Sequence, residues 1–158
     1  MEYKCEIVAT SEVLNLWDSV SGYADKIEKY SYGRFRSSDV LHQMISDGAI
    51  VWKVLEDENI VGFLVGKIIE YPERTYLSVD TLSGVRADKW EAIALEEVER
   101  VAKVMECDGI EADVRTGRED FETRMSELGF EKEYLIMTKQ IKYEEDSVES
   151  PKLEVANG

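Results

Sequence analysis

Apolar positions change their period several times along this chain, and each change predicts an element. Tyr3 to Thr10 reads as a first strand. Thr10 or Ser11 can then cap a helix. In that helix Val13, Trp17, Val20, Ala24 and Ile27 recur at three- and four-residue steps, which marks one buried face. Gly22 is expected to weaken this helix and split it in two. Ser37 or Ser38 begins a shorter helix with Val40, Leu41, Met44 and Ile45 inward and Gly48 as its stop. His42 falls off that face and is expected to be exposed.

Next come two runs rich in β-branched and aromatic residues, Ala49 to Glu56 and Ile60 to Ile69. Asp57-Glu58-Asn59 separates them, which predicts a hairpin. Pro72 marks a turn before a third strand, Thr75 to Leu82. Asp88 opens the clearest helix, with Glu91 three residues later in the spacing of a capping box. Its apolar stripe is Trp90, Ile93, Ala94, Val98, Val101, Ala102 and Met105. Gly109 leads into a short strand, Ile110 to Arg115. Glu119-Asp120 starts a last helix through Phe121, Met125 and Leu128, stopped by Gly129, and Glu133 to Ile141 reads as a closing strand.

The order β-α-α-β-β-β-α-β-α-β places a meander before a right-handed, parallel β-α-β crossover. This predicts an α/β (α+β) fold with a mixed central sheet of six to seven strands and helices on both faces. Residues 1–141 form the single expected domain. Residues 142–158 are expected to be an acidic, flexible tail.

Charge sharpens what the pattern leaves open. The 158 residues hold 34 acids and 19 bases, a net charge of −15. Five acids and two bases lie in the tail, so −12 of the net charge belongs to residues 1–141. General nucleic-acid binding, which draws on Lys and Arg, is not expected. Nor is an anionic membrane surface, and no apolar run reaches the roughly 18 residues of a membrane span. Met1-Glu2-Tyr3-Lys4-Cys5-Glu6 lacks the flank of a signal peptide, which predicts a cytoplasmic protein. With one histidine, His42, a multi-histidine metal site within the chain is not possible. Cys5 and Cys107 form no Cys-x-x-Cys pair and read as small buried hydrophobes. The stretch Tyr23, Tyr30, Tyr32 and Phe35, with Arg34 and Arg36, reads as an aromatic loop covering a sheet edge.

The segment Gly117-Arg118-Glu119-Asp120-Phe121 through Leu128-Gly129-Phe130, together with the element order over residues 3–141, resembles the GNAT (acyl-CoA N-acyltransferase) superfamily. Its Gly117-Arg118 lead-in and Gly129-Phe130 exit are similar to a bacteriophage-encoded branch that includes virion and internal core proteins. The resemblance implies a coenzyme A site between the fourth strand and the long helix. There the family pattern is Gln or Arg, two residues, Gly, one residue, and Gly or Ala. Here the junction reads Thr81-Leu82-Ser83-Gly84-Val85-Arg86-Ala87-Asp88-Lys89-Trp90-Glu91. With Arg86 leading, Lys89 and Glu91 stand where the family has small residues, and Asp88 adds negative charge at the anion site. Met125 stands where many family enzymes carry a proton-donating Tyr.

The resemblance therefore implies Asp80 as candidate general base and Leu82, Gly84, Arg86, Lys89 and Arg118 as candidate coenzyme contacts, with Arg115 a further phosphate candidate. The departures favour a protein without acyl transfer and without a cofactor: a binding or structural component with protein partners, associated with a virion or its assembly, in the host cytoplasm or the particle. The first alternative is an acetyl-CoA-dependent N-acetyltransferase with an atypical pyrophosphate loop acting on a cationic amine. The second is an acidic mimic that inhibits a basic protein surface.

Overall fold

The computed structural model describes residues 2–114 and 119–144. Arg115, Arg118 and most of the acidic tail thus lie outside the described residues. A strand β1 (Tyr3–Ile7) and a 3-10 turn (Thr10–Glu12) lead into helices α1 (Val13–Tyr30) and α2 (Ser37–Ile45). The meander β2 (Ile50–Glu56), β3 (Asn59–Glu70) and β4 (Thr75–Gly84) follows. Helix α3 (Ala87–Val104) then crosses to β5 (Gly109–Ala112), and α4 (Glu119–Glu127) packs after it. The five strands lie in the order β1-β2-β3-β4-β5, antiparallel except for the parallel pair β4–β5.

Period-two alternation sorts the strands between two helical layers. Trp52, Leu64 and Leu77 turn to one face and bury Trp90, Ala94 and Val98 of α3. Val51, Phe63 and Val65 turn to the other and bury Leu16, Val20, Ala24 and Met44 of α1 and α2. A mixed sheet with helices on both faces is therefore present, and His42 is exposed as its position off the apolar stripe predicts.

Four expectations need correction. The described sheet has five strands, not six or seven. Residues 131–141 form no strand, and Tyr134 to Met137 stand in water. Gly22 does not split α1, because its position is open and the buried face on either side, Val20 and Ala24, holds the helix straight through. Finally, α3 begins one residue before Asp88. Its N-cap is Arg86, in the left-handed region at φ 55°, without a side-chain cap, and Glu91 is not part of a capping box.

Candidate functional site

The sheet opens between β4 and β5. β4 pairs with β5 only from Tyr76 to Val79, so Asp80 to Gly84 run on without a neighbour on that side. Helix α4 and the end of α1 close over this opening and leave a cavity of about 240 Å³. Asp39 of α2, Asp80 of β4 and Asp113 beyond β5 line it, with Tyr30, Phe35 and Phe121 as aromatic walls and Lys67 as a cation.

Asp80 reaches the cavity through a β-bulge. Val65 of β3 pairs with Thr81 and Gly66 pairs with Val79, so Asp80 is the extra residue. Such a residue is re-aimed relative to strict alternation, a device common beside functional sites. Gly66 is required here, since a Cβ would meet the Ser78 carbonyl at 2.8 Å. Asp80 Oδ1 accepts a hydrogen bond from Ser78 Oγ at 2.8 Å. Oδ2 is buried without a hydrogen-bond partner among the described residues and lies 3.9 Å from Lys67 Nζ. Beside it, Thr81 Oγ1 donates to Gln43 Oε1 at 3.0 Å and ties β4 to α2. Met125 is buried against Phe121 and Leu95 and also lines the cavity, where it offers no proton. Tyr30, which sequence reasoning treated as part of a covering loop, brings the cavity its phenol.

The other sequence candidates separate. Leu82 is half-buried, packs beneath α3 and α4 and lines the cavity. Gly84 ends a strand and forms no phosphate loop. A Cβ there would meet the Val61 carbonyl and lie 2.6 Å from Gly62 Cα. Arg86 turns away to Glu56, with its Nη2 2.7 Å from Oε2, and this bond raises the Arg86 pKa further. Lys89 is exposed on the first turn of α3, its N–H donating to the Arg86 carbonyl at 2.9 Å. Arg118 lies outside the described residues.

At the β4–α3 junction one N–H and two carbonyls are engaged. Val85 N–H donates to the Val61 carbonyl at 2.9 Å. The Val85 carbonyl accepts from Trp90 Nε1, and the Gly84 carbonyl from Lys26 Nζ, both at 2.8 Å. Trp90 itself is fully buried against the space left by Gly62 and Gly84. Glu91, where the family pattern asks for Gly or Ala, is buried and bound bidentately by Arg124 of α4 at 2.6 and 3.1 Å. That pairing holds the Arg124 pKa above its ordinary value. These residues do not fit a glycine-based pyrophosphate cradle: Lys89 and Glu91 stand at the small-residue positions, the Arg86 guanidinium is engaged by Glu56, and Asp88 brings negative charge to the helix start.

Sequence reasoning missed both the bulge and the Glu91–Arg124 pair. The first depends on register and the second joins residues 33 apart, so a local pattern carries neither. Among the described residues no cluster of His, Cys, Asp and Glu is arranged to hold a metal, and no helix is long and apolar enough to cross a membrane.

No protein-family model and no curated protein sequence matches this chain. Solved structures do match in fold. An aminoglycoside acetyltransferase from an uncultured soil metagenomic sample superposes with a TM-score of 0.65 at 20% identity, covering 90% of this chain and 100% of that one. A ribosomal-protein-alanine N-acetyltransferase from Brucella melitensis biovar Abortus 2308 gives 0.65 at 12% identity, covering 89% and 100%. AAC(6')-Iy in complex with the bisubstrate analog CoA-S-monomethyl-acetylneamine gives 0.64 at 12% identity, covering 90% and 100%. The fold is that of the GNAT acetyltransferases.

Proposed function

We propose that this chain is a GNAT-fold binding protein that does not transfer acyl groups and serves as a component of a larger assembly. The β4–α3 junction carries the reading. The Val85 N–H is taken by the Val61 carbonyl, Lys89 and Glu91 stand where small residues are needed, and Asp88 brings negative charge to the first turn of α3. A phosphate site needs unengaged N–H groups and small residues there. The cavity, by contrast, suits a cation: three carboxylates and three aromatic rings surround it, with Lys67 as the opposing charge. A lysine or arginine side chain of a partner has the chemistry to fill it. The similarity of Gly117 to Phe130 to phage-encoded proteins supports a virion or its assembly as the setting.

Titration with acetyl-CoA, followed by calorimetry and thermal shift, tests the reading. Ligand at 100 times its Kd stabilises a fold by about 2.7 kcal/mol, so binding is easily seen. No response at millimolar acetyl-CoA is expected, and saturable micromolar binding would overturn the proposal. For the assembly, mass spectrometry on purified particles of the source should find the chain, and consistent absence counts against that part.

A second reading, an N-acetyltransferase with an atypical loop, is favoured by the bulge that aims Asp80 into a cavity at the sheet opening. Asp80 would accept the amine proton directly or through water. This reading requires acetyl-CoA-dependent acetylation of an amine that Asp80→Asn abolishes.

A further inference from the structure

The first strand stands at an edge of the sheet. β1 pairs with β2 alone, and among the described residues no strand lies on its outer side. The ladder to β2 fixes which of its backbone groups face out. The Val8 N–H donates to the Val51 carbonyl and the Asp57 N–H to the Glu2 carbonyl, both at 2.8 Å and both continuing the register of β1 with β2. In an antiparallel ladder every second residue bonds to a given neighbour. Glu2, Lys4, Glu6 and Val8 therefore bond inward, and Tyr3, Cys5 and Ile7 present their N–H and C=O groups outward. Such a row is a template for an added strand.

The side chains divide in the same way. Tyr3 and Cys5 pack on the core beneath α3, and Ile7, on the same face of the strand, is 47% exposed. Cys5 and Ile93, Glu97 and Arg100 of α3 line a groove beside the strand. Lys4 and Glu6 turn to the opposite face and are exposed. Glu6 lies 4.0 Å from Lys53 Nζ, and its side chain stays 49% exposed.

Ladder parity and charge select the occupant. When two copies of β1 pair antiparallel about a twofold axis, Tyr3, Cys5 and Ile7 must face one another to bond. Centred on Lys4, the pairing sets Lys4 against Lys4 and Glu2 against Glu6. Centred on Glu6, it sets Glu6 against Glu6. Centred on Cys5, it overlaps the whole strand and sets Lys4 of each copy against Glu6 of the other. Tyr3, Cys5 and Ile7 then each exchange a pair of main-chain hydrogen bonds across the axis. Lys4 and Glu6 fall at the non-hydrogen-bonded pairs, where Cα atoms are about 4.5 Å apart and side chains come closest.

We propose that two copies of this chain join through β1, antiparallel and centred on Cys5, into one continuous sheet. Tyr3 of each copy covers Ile7 of the other, and the groove beside Cys5 meets its own copy across the axis. A charge of one sign on an edge strand guards it against association. One base and one acid, two residues apart, make this edge self-complementary. The pairing does not depend on what the cavity binds, because the cavity opens between β4 and β5.

The test uses the full chain. Light scattering at micromolar concentrations should give twice the monomer mass. The amides of Tyr3, Cys5 and Ile7 should exchange on the order of 100-fold more slowly than those of an open edge. Lys4→Glu sets acid against acid at both pairs, and Glu6→Lys sets base against base. Each variant should be a monomer with an unchanged far-ultraviolet spectrum, since both side chains face water in the single copy. Mixed in equal amounts, the two variants should form a dimer holding one chain of each. A wild-type monomer overturns the proposal. So does a wild-type dimer in which those amides exchange freely, a dimer that survives in Lys4→Glu, or a mixture that stays monomeric.

Discussion

Replacing Arg124 by Leu should destabilise this protein far more than removal of an ordinary surface charge. The Glu91 side chain is 3% exposed and receives two hydrogen bonds from Arg124, at 2.6 and 3.1 Å. Without the guanidinium a carboxylate stays buried and unpaired, which typically costs about 3–5 kcal/mol. The Arg124 side chain is 32% exposed, so water reaches the vacated side and the lower end, about 3 kcal/mol, is expected. At roughly 2–4 °C per kcal/mol for a domain of this size, Tm should fall by roughly 6–12 °C. Circular dichroism melts and urea titrations would measure it. The double variant Glu91→Leu/Arg124→Leu removes both charges and should recover most of the loss, because a buried ion pair and an apolar pair are often nearly equivalent. A loss under about 1 kcal/mol for Arg124→Leu, or no recovery in the double variant, would refute the buried-charge argument.

Four more outcomes follow from the same geometry. Gly84→Ala should cost about 1–3 kcal/mol in urea titration, because its Cβ meets the backbone of Val61 and Gly62, which cannot yield as a side-chain tip does; a neutral result would mean that the strands spread freely. Cys5 has its pKa pushed up to about 12 by burial, helped by Glu97 and Glu6, so its alkylation at pH 8 should run ~1,000-fold slower than that of an unperturbed thiol. Since that folded value lies above the ordinary 9, the Cys5 contribution to stability should be intact below pH 9 and decline as pH rises from there toward 12. Tyr71, with its pKa raised to about 12 chiefly by its hydrogen bond to Glu111, should titrate late in ultraviolet absorbance, and Glu111→Gln should bring that transition down.

The sequence showed the elements that repay local periodicity. The β2–β3 hairpin, the α3 stripe and the two-layer arrangement all follow from spacings of two and of three to four residues. Glu91 illustrates the limit. Its spacing from Asp88 fits a capping box, yet the buried partner it needs lies on another helix, and pairing across helices overrides local capping. Asp80 was visible as an acid on a strand, but only the pairing of Val65 with Thr81 and Gly66 with Val79 turns it into the cavity. Gly84, a candidate coenzyme contact in the sequence, makes room for Trp90. Residues 133–141 have strand propensity and form no strand.

Trp90 also governs how the β4–α3 junction can vary among homologues. Its ring occupies the room that Gly62 and Gly84 leave on two neighbouring strands, and its indole closes the Val85 carbonyl. Glycine installed at Lys89 alone leaves that wedge in place, and glycine at Glu91 strands Arg124. If the junction binds no phosphate, as proposed, a single substitution should not make it a phosphate-binding one. Substitutions here should therefore travel as linked sets, with Gly62, Gly84 and Trp90 inherited together and positions 91 and 124 changing as a pair.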